Sequence, residues 1–331
     1  MLKVGINGFG RIGRIALRLL LDDKDVEVVA INSLSDPLQL SYLYKYDSCH
    51  RTVNYKVSFD NDHIIVKDKK IKVFAESEPQ NIPWGEYGVD VVLECTGAFT
   101  STEKCMAHIE AGAKHVIISA PAKDDTKTIV FGVNEEVFDK NDKVISTASC
   151  TTNCLAPVVK LIDTKYGVIK GFMSTIHAMT NDQETMDTSH KKGIMSRRGR
   201  AASMNIIPTS TGAASQIGKV IPHLNGKMDG VAFRVPVGDG SVVDATLEIK
   251  KKTTVEEVNN MLKSNQNKIV RYTEDPIVSS DIIGEECGAL VDGLLTTIVE
   301  EGDHQLLKVV AWYDNEVGYT AQMLRVMKLF M

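Results

Sequence analysis

At 331 residues the chain has the length of two domains, at roughly 150 residues each. Hydrophobic residues make up 43% and charged residues 24%, values that exclude a disordered chain, a collagen-like repeat or a disulfide miniprotein. With 38 Lys plus Arg against 43 Asp plus Glu the net charge is −5, so no overall positive field draws the chain to nucleic acid or to an anionic membrane. Apolar stretches such as Leu19–Leu21 and Val91–Leu93 fall far short of the ~20 residues that span a bilayer. The start, Leu2-Lys3-Val4-Gly5-Ile6, shows none of the parts of a cleaved signal, so the expected compartment is the cytoplasm. There Cys49, Cys95, Cys105, Cys150, Cys154 and Cys287 are expected as thiols.

In chain order, β-like runs at Leu2–Ile6, Val26–Ile31, Val89–Glu94, Val116–Ser119 and Val144–Ser146 follow one another, and Ile12, Ile15, Ala16, Leu19 and Leu20 mark a helix after the first. Such alternation predicts a parallel sheet with covering helices. From about Gly171 the pattern changes to longer strands, Phe172–Ile176, Gly230–Val237, Val242–Lys250, Thr296–Glu300 and Leu306–Trp312, with a helix at Val255–Lys263. That reads as an antiparallel sheet with helices on one face. A terminal helix is expected over Val317–Phe330, and the basic run Lys191–Arg200 reads as a solvated loop.

Gly8, Gly10 and Gly13 lie between the first strand and its helix, in the spacing and context of a dinucleotide-binding turn. The first glycine allows the tight turn, the second lets backbone approach a pyrophosphate, and the third lets helix and strand pack closely. An acid is expected about 20 residues further on to bond the adenosine ribose, but the strand Val26–Asn32 is followed by Ser33. Asp36-Pro37 reads instead as a helix N-cap with proline at the first helical position. A carboxylate would repel a 2′-phosphate by about 4 kcal/mol at ~4 Å and an effective dielectric of ~20. Its absence therefore removes a veto on NADP.

Ser149-Cys150-Thr151-Thr152-Asn153-Cys154 follows a strand and opens a helical segment. A cysteine at a helix N-terminus is expected to have a lowered pKa and to serve as a nucleophile. His177, at the end of a strand, is the candidate base among eight histidines. Cys154 reads as a packed residue, and no zinc-like ligand spacing appears nearby.

These blocks, together with Ile6-Asn-Gly-Phe-Gly-Arg-Ile-Gly-Arg14, His177-Ala-Met-Thr-Asn-Asp-Gln183, Pro208-Thr-Ser-Thr-Gly-Ala-Ala214 and Trp312-Tyr-Asp-Asn-Glu-Val-Gly-Tyr319, resemble the glyceraldehyde-3-phosphate dehydrogenases over essentially the whole chain. The resemblance implies an α/β fold: a Rossmann-type parallel-sheet dinucleotide domain, residues 1–149 with 317–331, and an α+β catalytic domain, residues 150–316, with a largely antiparallel sheet. It implies phosphorylating oxidation of D-glyceraldehyde 3-phosphate to 1,3-bisphosphoglycerate, or the reverse, through a thioester on Cys150 with His177 as base, in a homotetramer. Thr180, Asp182 and Arg234 fall at the substrate-phosphate side, and Ser149, Thr151, Arg198, Thr211 and Gly212 at the inorganic-phosphate side. The cofactor positions carried over are Gly8, Gly10, Arg11, Ile12, Gly13, Asn32, Ser33, Ser77, Thr96, Ser119, Thr188, Ser189, Asn315 and Tyr319.

Departures from the pattern bear on the cofactor. Ser33 stands where NAD-dependent members usually carry Asp, and Thr188-Ser189 where they usually carry Leu-Pro. Small hydroxyls there resemble NADP-accepting members, so NADP as well as NAD is expected to serve, although Ser77 brings no positive charge. The Ser196–Arg200 loop also departs, ending in Arg rather than Ala. Three rival readings stand beside this one: an erythrose-4-phosphate dehydrogenase that dispenses with phosphate, a non-catalytic scaffold or binding protein of the same fold, and a zinc dehydrogenase.

Overall fold

The computed structural model describes every residue except 192 and 194, so those two positions of the basic run lie outside the described residues. The chain forms two compact units, one of residues 1–129, 135–148 and 323–331, the other of residues 130–134 and 149–322. Among the described residues no helix is long and apolar enough to cross a membrane.

In the first unit β1 (Leu2–Asn7), α1 (Arg11–Leu20), β2 (Val26–Asn32) and α2 (Pro37–Lys45) are followed by β3 (Val57–Phe59), β4 (His63–Val66) and β5 (Lys69–Phe74), then β6 (Val91–Glu94), α3 (Thr102–Glu110), β7 (His115–Ile118) and β8 (Val144–Ser146). The strand order is β3-β4-β5-β2-β1-β6-β7-β8. From β5 to β8 all neighbours are parallel, while β3, β4 and β5 form an antiparallel meander on one edge. The meander was not legible in the periodicity because its strands are short and half exposed. β1 is central, and Val4, Ile6, Val91, Val92 and Leu93 are fully buried because helices cover both faces of a parallel sheet. The chain passes from β1 to β2 on one side and later to β6 on the other. This leaves a crevice at the carboxyl ends of β1 and β6, the usual ligand seat of such sheets. Asp36 caps α2 as expected, accepting the Gln39 N–H at 2.8 Å with Pro37 at the first helical position.

The second unit runs α4 (Cys150–Tyr166), β9 (Val168–His177), β10 (Ile207–Ser210), α5 (Ala213–Val220), β11 (Met228–Arg234), β12 (Ser241–Ile249), α6 (Val255–Ser264), β13 (Val270–Thr273), β14 (Ala289–Glu301), β15 (His304–Tyr313) and α7 (Val317–Met327). The last residues of α7 belong to the first unit. The sheet order is β10-β11-β9-β12-β15-β14-β13, antiparallel except for the β9–β11 and β13–β14 pairs. Along β12, buried Val243, Ala245, Leu247 and Ile249 alternate with half-exposed Val242, Asp244, Thr246 and Glu248. One face is therefore core and the other is open. The register puts Phe172, Val231, Val299 and Leu306, all exposed, on that open face.

The start of α7 is fixed by Asp314, which is fully buried. Its Oδ1 accepts the N–H groups of Glu316 and Val317 at 2.8 and 2.7 Å, and its Oδ2 accepts that of Gly284 at 2.7 Å. Asp314→Ala leaves three backbone donors, that of Val317 buried, without their acceptors. It is expected to cost about 2–3 kcal/mol in denaturant unfolding, more than an exposed cap would.

Candidate active site

Ala148 holds a left-handed backbone, φ 56°, a conformation that costs a non-glycine residue of order 1 kcal/mol or more. Immediately after it Ser149 caps α4, its Oγ accepting the Thr152 N–H at 3.1 Å, and Cys150 is the first helical residue. The Cys150 Sγ lies 3.3 Å from His177 Nε2, at the end of β9. Two residues far apart in sequence are thus brought into hydrogen-bonding contact.

The helix start does not hold the thiol low, as the sequence led one to expect. Burial pushes the Cys150 pKa up, and the Arg234 charge together with hydrogen bonds from Thr151 offsets only part of that rise. Loss of water around the sulfur outweighs the helix dipole. Burial and then the Arg234 charge push His177 down to about 3, so the imidazole is neutral at physiological pH. The His177 Nδ1 lies 2.8 Å from the Ala178 carbonyl, which can only accept, so Nδ1 carries the proton. Nε2 then presents its lone pair to the Cys150 thiol. Arg234 Nη1, also 2.8 Å from Nδ1, is satisfied by the Ala178 carbonyl at 3.1 Å and Thr180 Oγ1 at 3.2 Å.

Around this pair the expected phosphate residues divide. Thr180 donates to Asp182 at 2.5 Å, and Arg198 bonds the other carboxylate oxygen of Asp182. One ion pair thus joins residues expected on two different phosphate sides. Asp182 is itself an anion and serves to orient Thr180 and Arg198. Two buried donors, Arg234 Nε and Gln183 Nε2, have no hydrogen-bond partner among the described residues, which suits an arriving anion. Arg198 also lines an open cleft of about 560 Å³ with Arg197, Thr209 and Phe233. The Thr151 hydroxyl also lies 2.9 Å from the buried Tyr313 hydroxyl. Thr211 Oγ1 accepts the Ala213 N–H at 3.2 Å, and Gly212 is the N-cap of α5. Among the described residues no hydrogen bond ties these two to the Cys150 cluster.

Residues that sequence reasoning passed over also shape the site. The Tyr313 hydroxyl bridges Thr151 and Thr175, both at 2.9 Å, with its ring edge-on to His177. Ser241 Oγ accepts the Ala178 N–H at 3.0 Å and therefore donates to Asn315 Oδ1, at 2.6 Å. That bond turns the Asn315 amide nitrogen away from Ser241, free to donate elsewhere. Tyr313 lay inside a recognised block, but Ser241 is a lone serine in a strand and carried no signal. Tyr319 is buried in α7, and Thr188 and Ser189 are exposed.

In the first unit the three glycines have the geometry of their expected roles. Gly8 has φ +91°, and a Cβ there would lie 2.7 Å from the Thr96 nitrogen. A Cβ on Gly13 would lie 2.2 Å from the Gly8 carbonyl oxygen, whereas Gly10 faces open space. Gly10 caps α1 with no side-chain bond, at a helix N-terminus of the kind that suits an anion. The Arg11 side chain pairs with Asp47 through bonds of 2.6 and 3.1 Å. Ile12 is half-buried. Asn32 is buried, Ser33 half-buried and Ser77 exposed. The Ser119 N–H donates to the Glu94 carbonyl at 3.0 Å. The edge therefore fits a dinucleotide.

Comparison with known proteins agrees. Residues 2–102 match the profile for the glyceraldehyde 3-phosphate dehydrogenase NAD binding domain, and residues 149–315 that for the C-terminal domain. The chain belongs to the glyceraldehyde-3-phosphate dehydrogenase family. It is 54% identical to the glyceraldehyde-3-phosphate dehydrogenases of Clostridium acetobutylicum and Clostridium pasteurianum, in each case over all of this chain and 98% of the relative. It is 49% identical to that of Lactobacillus delbrueckii subsp. bulgaricus, over 99% of this chain and 98% of the relative. As a member of this family it is an NAD-dependent phosphorylating dehydrogenase.

Two outcomes follow for this family member. Arg234→Leu removes the charge that pulls the Cys150 pKa down, so the midpoint of iodoacetamide alkylation against pH moves upward. The rate at pH 7 falls about tenfold for each unit of that movement. Gly13→Ala drives a methyl into the Gly8 carbonyl and is expected to cost about 1–3 kcal/mol by thermal unfolding, with loss of NAD binding.

Proposed function

We propose that the chain oxidises D-glyceraldehyde 3-phosphate to 1,3-bisphosphoglycerate, and runs the reverse, through a thioester on Cys150. The observation that carries this reading is the Cys150 Sγ–His177 Nε2 contact of 3.3 Å beside Arg234, whose Nε has no partner among the described residues. His177 Nε2 takes the thiol proton as sulfur adds to the aldehyde carbon, and the carbonyl oxygen gains that proton to give a hemithioacetal. The same nitrogen then removes the hydroxyl proton as the aldehyde hydrogen departs with its electron pair. The nicotinamide of NAD, when bound, supplies the acceptor for that hydride. The Cys150 thioester is next attacked by an oxygen of inorganic phosphate. The carbon–sulfur bond breaks and the acyl phosphate leaves a thiolate on Cys150. Arg234, with Thr180, would hold the substrate phosphate and Arg198 the attacking one, guanidinium donors being suited to phosphate oxygens.

We infer further that NADP serves as well as NAD. Ser33 at the end of β2 carries no charge, Ser77, Thr188 and Ser189 are exposed, and Asp36 is occupied as a helix cap. None of Ser33, Ser77, Thr188 and Ser189 carries a charge that would repel a 2′-phosphate. The open face of the second sheet, with Phe172, Val231, Val299 and Leu306, supports pairing of copies of the chain and hence the expected homotetramer. The cytoplasm remains the proposed compartment.

An initial-rate assay crossing NAD and NADP, with and without phosphate, tests the reaction. Turnover indifferent to phosphate would point to the erythrose-4-phosphate type. His177→Asn is expected to lower kcat by about 10²–10⁴, and Cys150→Ser to abolish acylation at residue 150 by mass spectrometry. Ser33→Asp is expected to shift the kcat/KM ratio toward NAD by tenfold or more, since ~1.4 kcal/mol suffices. An unchanged ratio overturns the NADP reading. Phe172→Glu with Leu306→Glu is expected to reduce the assembly to smaller species by light scattering.

A further inference from the structure

At the carboxyl ends of the first unit's strands lies a buried acid that the reaction does not use. Glu94, the last residue of β6, is 1% exposed, and no Lys or Arg pairs with it among the described residues. Four donors converge on its two oxygens instead. Oε1 accepts the Thr96 N–H at 2.8 Å and the Thr96 hydroxyl. Oε2 accepts Asn7 Nδ2 at 2.5 Å and His108 Nε2 at 3.2 Å. The direction of the His108 bond is fixed, because the Trp84 indole N–H donates to His108 Nδ1 at 3.0 Å and so leaves the ring proton on Nε2. The Thr96 backbone N–H, the Asn7 amide nitrogen and the His108 Nε2–H can only donate, so both Glu94 oxygens serve as acceptors.

This arrangement imposes polarity on the side-chain amides across the sheet. Asn7 must turn its nitrogen to Glu94, which leaves its Oδ1 to accept from Asn32 Nδ2 at 2.8 Å. Asn32 in turn presents Oδ1 to the Glu76 N–H at 2.9 Å, while its Nδ2 also reaches the Glu76 carbonyl at 2.9 Å. One carboxylate therefore sets a one-way chain of hydrogen bonds from β6 through the ends of β1 and β2 to the loop after β5. Each link adjoins a cofactor position: Asn7 precedes Gly8, Asn32 precedes Ser33, and Glu76 precedes Ser77. At the other oxygen Glu94 holds the Thr96 backbone against Gly8, in space only a glycine leaves open.

We propose that Glu94 is a positioning residue for the dinucleotide, its carboxylate orienting the Gly8, Ser33, Ser77 and Thr96 segments together, with His108 as its supporting donor; this rests on the NAD-binding assignment of the unit. Isothermal titration of NAD into wild type, Glu94→Gln, His108→Leu and His108→Gln tests it, alongside amide exchange of the cofactor-free proteins. In Glu94→Gln an amide nitrogen must face donors on one side, so Asn7 and Asn32 turn or Thr96 is released. The expected result is at least a tenfold rise in the NAD Kd for Glu94→Gln and for His108→Leu. His108→Gln, which keeps a donor where Nε2 stood, stays within about threefold of wild type. The Thr96 and Glu76 amides are expected to be protected in wild type without cofactor and to lose protection in Glu94→Gln. Wild-type affinity in both Glu94→Gln and His108→Leu overturns the proposal. So does exchange of the Thr96 and Glu76 amides in cofactor-free wild type as fast as exposed loop amides, a measurement that needs no variant to fold. A wild type that binds no NAD strikes instead at the assignment beneath the proposal.

Discussion

A sulfur stripped of water and set against the unprotonated nitrogen of an imidazole is the constraint around which the second unit is built. Burial alone would leave the Cys150 thiol inert, and the same burial would leave His177 unable to carry charge. Neither group is useful by itself. Set 3.3 Å apart, with the histidine's other nitrogen tied to a carbonyl, they form a donor and an acceptor between which a proton can pass. Much of the surrounding structure keeps that geometry. The Ala148 turn and the Ser149 cap place the thiol, the end of β9 places the ring, and the Tyr313 hydroxyl ties α4 to β9 through Thr151 and Thr175. The positive charge of Arg234 eases the loss of the thiol proton and at the same time discourages one on the imidazole.

Much of this was legible in the residues because it rests on short-range physics. Glycine spacing between a strand and a helix reports a backbone requirement, and Gly8, Gly10 and Gly13 each meet theirs. A proline after an acid reports a cap, and Asp36 is one. What escaped depends on long-range context. Desolvation of Cys150 is a property of everything packed over it, so the helix start alone gave the wrong sign for its pKa. The Arg11 guanidinium was drawn to Asp47, 36 positions on, a partner that no local pattern announces. Ser241 and Glu94 acquire meaning only through neighbours contributed by other strands.

The two units solve different problems by different means. The second unit concentrates charge: Arg198, Arg234 and Asp182 stand close together, and buried donors there are unmatched among the described residues. The nucleotide unit instead gathers several donors on one buried carboxyl group and uses the fixed polarity of amides to align four strand ends. Neutral donors suit that edge, since added cations would bind the pyrophosphate whether or not the rest of the cofactor fitted.

The Arg198–Asp182 ion pair links the two anion seats proposed above. On that proposed assignment, a phosphate that draws the guanidinium toward itself leaves Asp182 less neutralised, and the next anion to approach Thr180 and Arg234 then feels a stronger repulsion. By thermodynamic reciprocity the influence would run equally in both directions. The proposed seats would thus carry a toll on being filled together, lifted whenever one phosphate departs.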